Sequence, residues 1–92
     1  MSYWLIEWIG PDGEKHPLGR ADSETQARER MGEYARAQAM AVRKRNPDGD
    51  VRIQVFPGAD GTRKFPSEIR ILELVSGKEV SAVRIKATLL RD

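Results

Sequence analysis

The chain has 92 residues, 39% apolar and 33% charged, enough for one small domain with a single core. With no cysteine it has neither a disulfide framework nor a thiolate metal site, and its one histidine excludes an imidazole cluster. The 16 basic and 14 acidic residues leave a net charge of +2, too near balance to name a polyanionic partner.

No apolar run reaches the ~18–20 residues that a membrane span requires, and the N-terminus lacks a secretory apolar segment. The absence of cysteine fits a reducing, cytoplasmic setting. Charge is unevenly placed: residues 1–33 carry seven acids and four bases, whereas residues 34–92 carry twelve bases and seven acids. The basic extreme is residues 36–45, with four bases and no acid.

Residues 3–9 (YWLIEWI) are aromatic and β-branched and predict a strand. Trp4, Ile6 and Trp8 share one face; Tyr3, Leu5, Glu7 and Ile9 share the other. A strand apolar on both faces belongs inside a sheet. Gly10-Pro11-Asp12-Gly13 follows as a turn, and a short return strand over residues 14–18 is confined to an edge by Pro17.

A helix is predicted from an N-cap at Asp22 or Ser23, with Ser23 and Gln26 at capping-box spacing, to Arg45. Its apolar stripe is Ala27, Met31, Tyr34, Ala35, Ala41 and Val42, with Gln38 inside it. Pro47 ends it. Asn46-Pro47-Asp48-Gly49 is a second turn, and residues 51–56 (VRIQVF) alternate as a strand with Val51, Ile53 and Val55 inward. Residues 57–61 form another turn. Residues 69–75 (IRILELV) read as a strand by their β-branched content, with a short helix capped by Ser67 as the competing reading. Ser76-Gly77-Lys78 is a hairpin turn into a long last strand over residues 79–90.

The prediction is therefore one α+β domain over residues 1–92. It is a two-layer sandwich of one long helix on a mainly antiparallel four- to five-stranded sheet, in the order ββαβββ. The helix side takes Trp4, Ile6, Trp8, Val51, Ile53, Val55, Val83, Ile85 and Leu89. The other side takes Tyr3, Leu5, Arg52, Gln54, Phe56, Arg84 and Lys86.

Catalytic chemistry finds little footing. Gly58-Ala59-Asp60-Gly61-Thr62-Arg63-Lys64 lacks phosphate-loop spacing and leads into no helix. Asn46, Asp48 and Asp50 alternate like a calcium loop, but Pro57 stands where the bidentate Glu belongs. No serine lies in a Gly-x-Ser-x-Gly elbow. His16 reads as a surface histidine. Glu7 reads as an acid on the less buried sheet face, or as one paired with Arg or Lys on a neighbouring strand, ahead of a catalytic carboxyl with a raised pKa. The expectation is no enzyme, no cofactor and no metal.

Binding surfaces remain. Tyr3, Arg52, Phe56, Arg84 and Lys86 combine aromatic rings with cations on an uncovered sheet face, a pattern suited to single-stranded nucleic acid. Arg36, Met40, Arg43 and Lys44 form a second feature at the exposed, basic end of the helix. The last-turn cations complement the helix dipole, but an exposed methionine framed by arginines also suits a partner.

Strand, Pro-Asp-Gly turn, polar return and a helix opened by Ser-Glu-Thr-Gln-Ala, over residues 3–35, resemble the arm-type DNA-binding domains of phage integrases. That resemblance implies DNA contact. The third strand those domains place before the helix has no counterpart here, and the remaining pattern is general to ββα units. The expected function is a small binding module for nucleic acid. The alternative is a protein-interaction module: a small adaptor, a phage-type inhibitor of a host complex, or a homodimer.

Overall fold

A computed structural model describes residues 1–58, 61, 66 and 68–91. The chain runs β1 (Ser2–Ile9), β2 (Lys15–Ala21), α1 (Glu24–Arg45), β3 (Asp50–Phe56), β4 (Glu68–Val75) and β5 (Lys78–Arg91). The strands form one open sheet in the order β2-β1-β5-β4-β3, with every neighbouring pair antiparallel. The α+β sandwich of order ββαβββ is what the chain forms, and the β-branched segment before the last hairpin is a strand.

β5 organises the sheet. Its N-terminal part pairs with β4 and its C-terminal part with β1, so only residues 84–86 are paired on both sides. β1, apolar on both faces, accordingly lies inside the sheet. β2 lies at the edge of the sheet, the position that a strand containing Pro17 tolerates. β4 and β5 are joined by a two-residue turn in which Ser76 and Gly77 have φ of 54° and 77°. Positive φ at both central residues is the conformation that matches strand twist in tight hairpins.

The ladder between β1 and β2 slips after Ile6: Ile6 faces Gly19, but Glu7 faces Pro17, leaving Leu18 as the extra residue of a bulge. The helix meets that irregularity. Tyr34 donates its hydroxyl to the Leu18 carbonyl at 3.0 Å. The hydroxyl also lies 2.6 Å from where a side chain on Gly19 would begin, so a residue without Cβ is needed there.

The helix is capped as its sequence requires. Ser23 Oγ accepts from the Gln26 N–H at 3.1 Å, and Gln26 Oε1 accepts from the Asp22 N–H at 2.9 Å. At the other end the Asn46 N–H donates to the Val42 carbonyl at 2.9 Å. The helix packs against all five strands. Its buried stripe is Ala27, Met31, Ala35, Ala39 and Val42. Ala41 is exposed and Ala39 takes the core position, because a helix contacting the sheet at four-residue steps drifts in phase along its length. Met31 fits among Ile6, Ile69, Ile71 and Ile85, beneath small alanines.

The pairing registers put all nine residues expected on the helix side there. Ile53, on the edge strand β3, and Leu89, near the C-terminal end of β5, nevertheless remain 43% exposed. The turn expected over residues 57–61 closes with the Gly61 N–H on the Gly58 carbonyl at 3.0 Å. Ala59 and Asp60 of that turn, residues 62–65 of the glycine-containing loop, and Ser67 lie outside the described residues.

Glu73 ties the helix end to β4. Arg45 donates to it at 2.8 Å and Asn46 at 3.2 Å. These two hydrogen bonds, Arg45 first, hold the Glu73 carboxyl below its ordinary value of 4.5. A depressed folded-state value contributes stability above the ordinary value, and that contribution is lost as pH falls through the depressed one. Acidification from neutrality to about pH 3 should therefore remove more stability from the wild type than from Glu73→Gln, followed by urea denaturation. Identical acid sensitivity of the two proteins would refute the linkage.

Candidate nucleic-acid interface

The registers arrange the sheet's outer face in cross-strand rows. One row runs Phe56, Glu68, Lys86, Glu7 across β3, β4, β5 and β1. The next runs Gln54, Arg70, Arg84, Ile9, Lys15 across all five strands. Arg52, Leu72 and Ala82 form a third. The face is therefore charged at its centre, and Ile9 and Leu72 are buried although they point away from the helix.

Glu68 is the hub. It is 7% exposed, and it holds Arg70 Nε at 2.5 Å, Arg84 Nη1 at 3.4 Å and Lys86 Nζ at 4.0 Å. A carboxylate so far from water is sustained by charged partners. Glu7 lies on the outer face, with Lys86 as its cross-strand partner. Arg70 and Arg84 are also directly opposed, an arrangement of like charges that disfavours pairing unless something neutralises it. Glu68 does so in part.

Both outer-face aromatic rings carry an arginine. The Arg70 guanidinium lies 4.5 Å from the centre of the Phe56 ring, and the Arg20 guanidinium 3.7 Å from that of Tyr3. Phe56 thus joins the Glu68 cluster with Arg84 and Lys86, and exposed Arg52 flanks it. Tyr3 does not join it: it pairs with Leu90, near the far end of β5. Beside the cluster, Gly10, Pro11 and Gly13 of the β1–β2 turn face Arg70, Ala82 and Arg84 across a notch of about 320 Å³.

The second group lies on the other layer. Met40 is 67% exposed, on the side of the helix opposite the core stripe. With Ala37, Ala41, Arg43 and Lys44 it lines a shallow, mainly apolar hollow. Arg36 turns away from this group, its Nη1 lying beside Gly32. The sheet cluster and the helix end therefore face opposite sides of the molecule.

Sequence reasoning left out Glu68, Arg70 and Arg20. Arg70 was within reach, since alternation with Ile69 and Ile71 puts it outward once that segment is a strand. Glu68 gave no signal, because a glutamate at a strand's start is ordinarily solvated.

Among the described residues no group of His, Cys, Asp and Glu could hold a metal ion, and no helix is long and apolar enough to cross a membrane. Compared with known proteins, the chain matches no family model, no curated protein and no solved structure.

Proposed function

We propose that this chain is a small non-enzymatic binding module that contacts single-stranded nucleic acid through the outer face of its sheet. One observation carries the reading. Among the described residues Lys15, Arg20, Arg52, Arg70, Arg84 and Lys86 share that face with Glu7, Asp50, Glu68 and Glu79, and two of the arginines lie over aromatic rings. Guanidinium planes and aromatic rings both stack bases, and flanking cations hold phosphates.

Phe56→Ala and Arg84→Gln should each weaken binding to a labelled single-stranded oligonucleotide, by separable mechanisms. Loss of Phe56 removes a stacking platform worth about 1–3 kcal/mol per base, independent of salt. Loss of Arg84 removes a phosphate contact, so the slope of log affinity against log salt should fall by about 0.7. Glu68 keeps Arg70 and Lys86 in that variant, so the fold should survive. Fluorescence anisotropy at several salt concentrations reads both effects. Absence of binding at low salt would end this reading.

A protein-interaction module is the second reading, and the exposed Met40 with Ala37 and Ala41 favours it. The apolar hollow, framed by Arg43 and Lys44, offers a contact that nucleic acid does not need. Light scattering on the same samples identifies a homodimer by mass.

A further inference from the structure

The geometry points to a phosphate-binding notch between the β1–β2 turn and the paired arginines of β4 and β5. The inference deepens the nucleic-acid reading, and rests on it only for the source of the phosphate.

Arg70 and Arg84 stand opposite each other on adjacent strands, and both line the notch. A single carboxylate, Glu68, serves them both and Lys86 as well. Three cations thus share one carboxylate at this cluster and keep a net positive charge, while the turn carries the Glu14 carboxylate beside Gly10. Like charges held this close favour an anion that spans them.

The arginines are also fixed in advance. Arg70 is held by its Nε on Glu68 and by its cation–π contact with Phe56, and Arg84 by one terminal nitrogen on Glu68. Glu68 is bonded to Nε of Arg70, and the two terminal nitrogens make up the rest of its fork. Such forks match the oxygens of a phosphate, and a guanidinium already ordered loses little freedom on binding.

The opposite wall supplies room. Of that wall Gly10 and Gly13 have no side chain and only Pro11 contributes one, and the notch of about 320 Å³ accommodates a phosphate with several of its waters, each about 30 Å³. The turn does not supply donors. The Gly10 and Gly13 N–H groups are spent on the Glu14 and Gly10 carbonyls, and the Asp12 N–H on the Glu14 carboxylate. Recognition accordingly falls to the two guanidinium groups.

The test is a titration of the whole chain with inorganic phosphate at low ionic strength, followed by NMR at the backbone amides and the arginine side-chain N–H signals. Acetate is titrated in parallel. Saturable shifts are expected at Arg70, Arg84, Gly10 and Gly13, with acetate much weaker. Arg70→Gln and Arg84→Gln should each weaken phosphate about tenfold, as expected for one hydrogen bond to a charged group. Arg20→Gln, at the far corner of the face, should leave it unchanged. Equal weakening by Arg20→Gln means diffuse attraction and overturns the site, as does acetate binding as tightly as phosphate.

A 5′-phosphorylated and an unphosphorylated oligonucleotide separate the sources. Equal shifts at the notch from both identify a backbone phosphodiester as the occupant. Shifts from the phosphorylated strand and free phosphate alone identify a phosphomonoester, and support the notch while removing the strand-binding reading. Oligonucleotide binding with a silent notch does the reverse.

Discussion

Replacing Met31 with alanine is expected to cost about 2–5 kcal/mol, the range for truncating a fully buried methionine. The same change at Met40 should stay within about 0.5 kcal/mol. The two residues share a helix and a side chain, and differ only in what surrounds them. Met31 is 0% exposed, beneath Ile6, Ile69, Ile71 and Ile85, and Met40 is 67% exposed. The space left by Met31 would not close, because its helix neighbours across the stripe are Ala27 and Ala35 and the opposing isoleucines are fixed by strand pairing. Urea denaturation of both variants checks it. Comparable losses would mean that Met40 is covered or that the helix is rotated from the phase described.

The second large effect is expected at the bulge. Gly19→Ala should destabilise by about 1–3 kcal/mol, as overpacking does, because the new methyl would meet the Tyr34 hydroxyl at 2.6 Å. Tyr34→Phe alone should cost about 0.5–1.5 kcal/mol, the net worth of the bond to the Leu18 carbonyl. In the double variant the obstructing oxygen is gone, so the losses should fall short of their sum by about 0.5 kcal/mol or more. Strict additivity would show that the hydroxyl is not what excludes a side chain from position 19.

These two sites mark the boundary of what could be read from residue order. Turn chemistry, the Ser23 cap and Pro47 delimit the helix, and strict alternation in residues 51–56 settles which side of β3 faces inward; each signal is local. Ala39 replacing Ala41 in the stripe is not local, since the phase of a long helix depends on how it crosses the sheet. The bulge at Leu18 depends on a tyrosine distant in sequence. Glu68 becomes a hub only through the pairing that lays β5 beside β4 and brings Arg84 and Lys86 to it. Of the expected site residues, Phe56, Arg84 and Lys86 fall together because each lies on the outward parity of its strand. Tyr3 has the same parity and falls apart from them, because register along β5 separates it by four residues from Lys86's partner Glu7.

The short stretch of β5 paired on both sides is a seam. β3, β4 and the first part of β5 are consecutive and can zip without waiting for the rest of the chain. β1 must find the last residues of β5, which closes the longest loop in the molecule and makes that step the slow, non-local one. The Glu68 cluster belongs wholly to the early side of the seam, but the notch has one wall from each side, with Arg70 and Arg84 on the first and Gly10 and Gly13 on the second. The guanidinium pair is thus assembled early and acquires its facing wall only at final closure, so a partly closed chain would present bare positive charge without the shape that selects an anion.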